Sequence, residues 1–389
     1  MPELSRRVQT FTDSVIRRMT RINNMTPGSI NLSQGFPDFD PPQEILDALK
    51  EAAEHGPHQY SITFGAKNFR DALAEMYTKK FAREIDPEKE IVVTCGGTEA
   101  MMAAMMTVCN PGDKVAVFSP FYENYGADAI LSGADPVYVP LVPPDFHYDS
   151  EALERAFQAG AKALILCNPS NPCGKVFTME EMEEIAELAK RYDAFVITDE
   201  VYEYIIYGEN RHISMAALPG MYERTITCSS LSKTYSMTGW RLGYAACNEE
   251  IVKTVNKLHQ HVVTCATSFV QKAGVVALKE EKNEVTDMVK EYQRRRDYAV
   301  KAINEIDGLS CRCPKGAFYI FINIEKLGMT GQEFAPLLLE NAKVALVPGD
   351  VFGTAGDHSV RMSFANSYEN VVEGCKRLKE FVEKLRRNK

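Results

Sequence analysis

The sequence has one tryptophan in 389 residues, no CxxC pair, no internal repeat and no low-complexity tract. It has no apolar run near the ~20 residues that a helix needs to cross a bilayer. The richest stretch, MMAAMMTVC at 101–109, is far shorter. A block of basic residues is also missing. With 44 basic and 53 acidic side chains the formal net charge is −9, the opposite of the footprint that nucleic acid selects. The opening residues, MPELSRRVQTF, contain no apolar segment of the kind that directs secretion, so a cytoplasmic protein is expected. The ten cysteines, several of them inside apolar runs such as LILCNP and GYAAC, then read as reduced thiols behaving as small hydrophobes. No metal site is expected. His259 and His261 have no acidic neighbour and lack the i, i+4 spacing of a helical zinc motif, and read as surface or interface histidines.

What remains is an ordinary globular composition, 45% hydrophobic and 25% charged. The length suits two or three domains at about 100–200 residues each. The middle of the chain alternates β-branched runs with helical patterns, which predicts a mostly parallel sheet flanked by helices, an α/β fold. The expected strands are IVVTC (91–95), KVAVFS (114–119), DPVYVPL (135–141), ALILC (163–167), AFVITD (194–199), TITCSS (225–230) and GYAAC (243–247). Helices are expected at TEAMMAAMMTV and at MEEMEEIAELAKRYD, where early acids and the late Lys190 and Arg191 suit the helix dipole. Composition shifts near residue 285. From there KGAFYIFINI, KVALVPG and HSVRMSFA predict antiparallel strands in a smaller α+β domain. The expected division is a large domain over 41–285 and a small one from 1–40 and 286–389. The RRR run at 294–296 and the charged C-terminal helix read as solvated helix faces.

In open α/β sheets ligands bind beyond the carboxyl ends of the strands, so the residues just past each strand carry the chemistry. Four such places stand out. GGTEA after the first strand pairs glycines with a helix start, where free N–H groups suit a phosphate, although a plain tight turn has the same look. NPSNPCG (168–174) forces a turn that can present the Asn171 amide to a cleft. DEVY ends an apolar strand with Asp199, a carboxylate that needs a cationic or hydrogen-bonding partner when buried; a salt bridge or a helix cap is the alternative. SSLSKTYSMTGWRLGY (229–244) sets Lys233 among hydroxyls with Arg241 downstream, and a lysine held in a cleft sheds its charge and becomes a nucleophile. Together the four match what pyridoxal phosphate requires: a phosphate turn, a cleft amide, a carboxylate for the pyridine nitrogen and an amine.

On NLSQGFPDF, NPSNPCG, DEVY, SLSKTYSMTGWRLG and VRMSFA, in order from about residue 30 to 370, the sequence resembles the fold-type I, class I aminotransferases. It looks closest to the subgroup with microbial aspartate and aromatic aminotransferases, while GFPDF is similar to kynurenine, glutamine and methionine aminotransferases. The resemblance implies a seven-stranded sheet, pyridoxal 5'-phosphate as cofactor and a homodimer with shared active sites. It implies that Lys233 holds the cofactor as a Schiff base and shuttles a proton, with Asp199 on the pyridine nitrogen and Tyr202 and Asn171 on the ring hydroxyl. Tyr122 would stack on the ring, and Gly97, Thr98, Ser230 and Arg241 would grip the phosphate. Arg361 would take the substrate α-carboxylate, with the Gly35 backbone closing over it, and Tyr60 would reach the phosphate of the partner subunit. Two departures are visible. Cys173 stands where the family often has threonine, and no residue matches the second arginine that reads a dicarboxylate side chain. The expected activity is ping-pong transfer of an amino group from an L-amino acid to a 2-oxo acid. A β-lyase acting on cystathionine or cysteine S-conjugates is the alternative on the same residues. A ligand-sensing regulator would need an added DNA-binding domain, for which the family pattern leaves no room here.

Overall fold

The computed structural model describes residues 3, 5, 9, 11, 13–279 and 283–387. The chain opens with α1 (Val15–Asn24), β1 (Ile30–Asn31), α2 (Gln43–His55) and α3 (Lys67–Phe81). Strands and helices then alternate: β2 (Ile91–Thr94), α4 (Gly97–Val108), β3 (Lys114–Ser119), α5 (Asn124–Ser132), β4 (Asp135–Val142), β5 (His147–Tyr148), α6 (Ser150–Gln158), β6 (Ala161–Cys167), α7 (Met179–Arg191) and β7 (Phe195–Asp199). The large sheet is completed by β8 (Thr225–Ser230) and β9 (Gly243–Ala246). Three helices follow, α8 (Glu249–Val262), α9 (Ser268–Lys279) and α10 (Asn283–Asn304). The rest is β10 (Tyr319–Asn323), α11 (Gly331–Ala342), β11 (Val344–Ala345), β12 (Val347–Pro348), β13 (Ser359–Ser363) and α12 (Tyr368–Arg387).

The large sheet runs in the order β2-β9-β8-β7-β6-β3-β4-β5, with β9 and β5 antiparallel to their neighbours. All seven strands expected from the sequence are present, and the sheet gains an eighth. That strand, β5, is a two-residue return from β4 and too short to leave a periodic signal. The central strands are apolar on both faces, as parallel strands covered by helices must be. Leu164 and Val196 pack with Leu153, Met182 and Ile185 of α6 and α7. Their sequence neighbours Ile165 and Ile197 point the other way, towards Ala100, Met105 and Val252 of α4 and α8. A capping box fixes the start of α7, with Thr178 Oγ1 accepting from the Glu181 N–H and the Glu181 carboxylate accepting from the Thr178 N–H.

The C-terminal part adds an antiparallel sheet, β10-β13-β12, and β11 pairs in parallel with β1. Two expectations are corrected here. Arg295 and Arg296 of the RRR run are buried: Arg295 donates to Asp38 Oδ1 at 2.7 Å and lies over the Phe39 and Tyr292 rings, and Arg296 donates to Pro314 O at 3.1 Å. Their long stems cover apolar surface while the guanidinium finds distant acceptors, a pairing that the local run of charge conceals. His259 is also buried rather than superficial, its Nδ1 lying 2.8 Å from Glu99 Oε1 at the start of α4. Six of the ten cysteines are buried and all ten are free.

The junction of β2 and β9 leaves no space for a side chain. A Cβ on Gly243 would lie 2.3 Å from the Gly96 carbonyl carbon and 2.4 Å from the Gly97 nitrogen, both backbone atoms that cannot rotate away. Gly243→Ala is therefore expected to destabilise the fold by about 1–3 kcal/mol or more, the usual range for overpacking. Gly239→Ala, where a Cβ meets nothing within 4 Å, should leave stability unchanged. Urea unfolding of the two variants checks this; equal midpoints would show that the strand junction tolerates expansion.

Candidate active site

The ends of β2, β6, β7 and β8 meet in one row. Thr94 pairs with Gly243, which pairs with Ser230, and Asp199 sits between Cys167 and Cys228. Beyond this row opens a cavity of about 960 Å³. Gly35, Gly97, Thr98, Tyr122, Asn171, Asp199, Tyr202, Ser230, Lys233, Arg241 and Arg361, all expected from the sequence, line it together. Tyr60 does not. It is 83% exposed and lies away from the cavity of its own chain.

Lys233 follows β8 directly, and its Nζ donates to the Gly35 carbonyl at 2.6 Å. Burial pulls its pKa down to about 8, helped by the Arg361 and Arg241 charges and opposed by Asp199. A far larger share of the amine is thus neutral, and nucleophilic, near neutral pH than for an ordinary lysine. At Asp199 burial raises the carboxyl pKa, while the Tyr125 hydroxyl, the Val201 N–H and the Lys233 charge hold it down. The Tyr125 hydroxyl donates to Asp199 Oδ2 at 2.8 Å. A cationic ring nitrogen beside this carboxylate would supply the charge partner that a buried anion needs.

The DEVY turn is braced from behind. Glu200 accepts from Ser214 and Thr198, and Lys80 donates to Glu200 at 2.5 Å and to Glu203 at 2.6 Å. Glu200, Glu203 and His212 lie within 4.8 Å of one another, the metal-like grouping among the described residues. The Lys80 ammonium already serves both carboxylates, and burial keeps His212 neutral, its pKa lowered to about 3.

Three features fit a phosphorylated, ring-shaped group and an amino acid. Gly96 and Gly97 open α4 with φ +85° at Gly96, a left-handed backbone that glycine adopts freely. A Cβ on Gly96 would lie 2.2 Å from the Arg241 guanidinium, so only a bare backbone lets that guanidinium lie against the helix N-terminus, whose free N–H groups suit an anion. Arg361, 1% exposed, donates to Asn171 Oδ1 at 2.9 Å and to Ser33 O at 2.8 Å, yet its Nε is buried without a partner. Such an orphaned charged donor calls for an anion. Gly35 is held closely too, since a Cβ there would meet the Tyr319 hydroxyl at 2.1 Å.

Sequence reasoning missed several cavity residues. Tyr125 sits one helical turn past Tyr122 in PFYENY, and that spacing was a usable signal. Tyr319 gave none: its hydroxyl meets the Tyr202 hydroxyl at 2.8 Å and its ring lies 4.3 Å from the Arg361 guanidinium, contacts that only the tertiary fold creates. Ser232, Thr238 and the α1 residues Arg17, Arg18 and Arg21 also line the cavity.

The position of Lys233 predicts an acid-shifted amine. In the cofactor-free protein, reductive methylation of Lys233 followed against pH should reach half its maximal rate near pH 8, against about 10.4 for an ordinary lysine. The Asp199 charge stabilises the ammonium, so Asp199→Asn should move the midpoint to lower pH. A midpoint at the ordinary lysine value would contradict the buried placement.

The chain matches the family model for aminotransferase class I and II over residues 27–378. It is 40% identical to an aspartate aminotransferase of Pyrococcus abyssi and 38% identical to aromatic-amino-acid aminotransferase 2 of Thermococcus litoralis, each alignment covering 97% of both chains. Among solved structures, the aromatic aminotransferase from Pyrococcus horikoshii OT3 superposes with a TM-score of 0.89 at 39% identity, over 94% of this chain and 99% of that one. Nothing in these likenesses favours the lyase alternative. The sheet, the cavity beyond its strand ends and these matches lead to one conclusion: the chain belongs to the class I and II aminotransferases and is a pyridoxal-phosphate-dependent transaminase.

Proposed function

We propose that the 960 Å³ cavity is the transamination centre and that its residues divide the work as follows. When bound, pyridoxal phosphate supplies an electron sink conjugated to the substrate Cα. Lys233 Nζ would hold the cofactor covalently at rest and, once released by substrate, would carry the proton between the substrate Cα and the cofactor carbon. Asp199 keeps a proton on the pyridine nitrogen, with Tyr125 orienting the carboxylate. Tyr202 and Asn171 hydrogen-bond the ring hydroxyl, and Tyr122 covers the ring. Gly97 N–H, Thr98, Ser230 and Arg241 bind the phosphate. Arg361 takes the α-carboxylate as a fork, and the Gly35 backbone closes over it and excludes water. The observation that carries this reading is the convergence of an acid-shifted lysine, a buried aspartate and an arginine with an unpartnered Nε in one cavity.

The donors named for relatives, aspartate and aromatic amino acids, support an acidic or aromatic donor here. Cytoplasmic location is supported by the composition, and no described helix is long and apolar enough to cross a membrane. The division into a large domain over 41–285 and a small domain from 1–40 and 286–389 is supported by the pairing of β1 with β11.

Borohydride reduction of the holoenzyme and peptide mapping should place the cofactor on Lys233, and Lys233→Ala should lose about 10²–10⁴-fold in rate or more. Arg361→Lys keeps the charge but not the fork. It should weaken amino acid binding and leave cofactor retention intact. A label on another lysine, or unchanged half-reactions in Arg361→Lys, would displace these assignments.

The working unit in this proposal is a homodimer in which Tyr60 serves the partner's phosphate. Support comes from the exposure of Tyr60 and of two further apolar side chains, Ile62 and Val262, 56% and 69% exposed. Tyr60→Phe and Lys233→Ala chains are each expected to be impaired. Mixed, they form hybrid dimers with one intact site, so activity should recover to about a quarter of wild type in a random mixture. Proven subunit exchange without recovery would assign Tyr60 elsewhere.

A further inference from the structure

Tyr319 touches both ends of the reaction centre. It opens β10, where it pairs with Ser363 of β13, and Arg361 lies two residues earlier on β13. The small sheet thus delivers both side chains to the cavity, and both line it. Tyr319 is 1% exposed. Its hydroxyl lies 2.8 Å from the Tyr202 hydroxyl, its hydrogen-bond partner among the described residues. The phenol is also packed against Gly35, so closely that a Cβ there would lie 2.1 Å from the hydroxyl oxygen. Its ring lies 4.3 Å from the Arg361 guanidinium, and the Phe352 ring lies 4.8 Å from the same group.

Two phenols at this distance share one hydrogen bond between two protons, and its direction decides what Tyr202 can do. If Tyr202 donates, its proton is spent on Tyr319. If Tyr319 donates, the Tyr202 proton stays free for a ligand. Burial raises both pKa values, so each oxygen keeps its proton at neutral pH. The Arg361 charge, seated on the Tyr319 ring, lowers the Tyr319 value against that trend and makes it the more acidic phenol. The more acidic hydroxyl is the better donor, so the bond runs from Tyr319 to Tyr202. Tyr202 then has a proton left and no other acceptor among the described residues, and a buried donor in that state calls for one.

We propose that Tyr319 is a positioning residue for transamination: its hydroxyl donates to Tyr202 and so leaves the Tyr202 proton for the ring oxygen of the cofactor, while its ring face holds the Arg361 guanidinium in place for the substrate carboxylate. The proposal rests on the transamination reading of the cavity and deepens it, because one side chain then serves the cofactor end and the carboxylate end together.

The test separates hydroxyl from ring in the holoenzyme. Tyr319→Phe removes the first and keeps the second; Tyr319→Leu removes both. A donor on the ring oxygen favours its anionic form and so lowers the pH midpoint of the bound cofactor's absorbance. Tyr202→Phe should therefore raise that midpoint by about 1–2 pH units, the size of a hydrogen bond to a charged group. Tyr319→Phe should raise it by about 0.2–0.6 pH unit, the cooperative share that one hydrogen bond lends the next. Added to Tyr202→Phe it should raise it no further, since its route runs through Tyr202. Calorimetric affinity for propionate and 3-phenylpropionate, two unreactive carboxylates, should hold in Tyr319→Phe. It should fall about 5- to 30-fold in Tyr319→Leu, the worth of a desolvated cation–π contact. Tyr319→Phe keeps the buried volume, so the hydroxyl arm decides even where Tyr319→Leu fails to fold.

A midpoint unchanged or lowered in Tyr319→Phe, a further rise in the double variant, or undiminished carboxylate affinity in Tyr319→Leu would each overturn the assignment. Those outcomes leave transamination standing. A holoenzyme whose cofactor absorbance responds to no amino acid would instead remove the transamination reading, and this proposal with it.

Discussion

Keeping the Lys233 amine, the Asp199 carboxylate and the Arg361 guanidinium together in one cavity, largely withdrawn from bulk water, is the constraint around which this molecule is arranged. Each buried charge costs free energy unless an opposite charge or a set of donors meets it. The protein meets the Asp199 charge only in part, through Tyr125, the Val201 N–H and a lysine whose own pKa burial lowers. It leaves an Arg361 nitrogen unmet altogether. Both groups face one cavity at the carboxyl ends of the strands, and the strands that lead there are apolar on both faces and firmly packed. The fold thus holds these two charges where ligands of complementary charge can supply the balance.

Behind the cavity the logic reverses. Glu200 directly follows Asp199 yet is fully served by Lys80, Ser214 and Thr198. Adjacent acids in one turn therefore have opposite fates, one poised for a ligand and the other spent on holding the turn rigid. Glu99 is similarly tied to His259 and to the Cys95 N–H, which fixes the start of α4 where Gly97 and Thr98 line the cavity.

The parts of this arrangement that were legible in the sequence are contiguous: short motifs that follow a strand and turn at once into the cavity, such as GGTEA, DEVY and SLSK. Backbone direction alone places such residues, so their order along the chain was enough. The β-branched runs likewise announced seven strands, because their apolar content does not depend on partners. What was illegible depends on contacts across long separations. Tyr202 and Tyr319 share a hydrogen bond across 117 positions, and Arg295 reaches Asp38 across 257. A run of three arginines looks solvated until the helix that carries it is packed against the loop that neutralises it. Arg17, Arg18 and Arg21 of α1 escaped for a related reason: nothing in the first residues says which wall their helix will form.

The segment around β1 joins these two kinds of feature. Ile30 and Leu32 hydrogen-bond to Lys343 and Ala345 on one side, and Ser363 bonds to Leu32 on the other. The same short segment offers the Ser33 carbonyl to Arg361 and the Gly35 carbonyl to Lys233. It acts as a strut pinned at both ends, one end in the small sheet and the other on the lysine of the large sheet. A hinge movement between the sheets cannot then relax the carboxylate seat while leaving the lysine undisturbed. The seat for the substrate and the position of the reactive nitrogen are thereby referred to one short length of backbone.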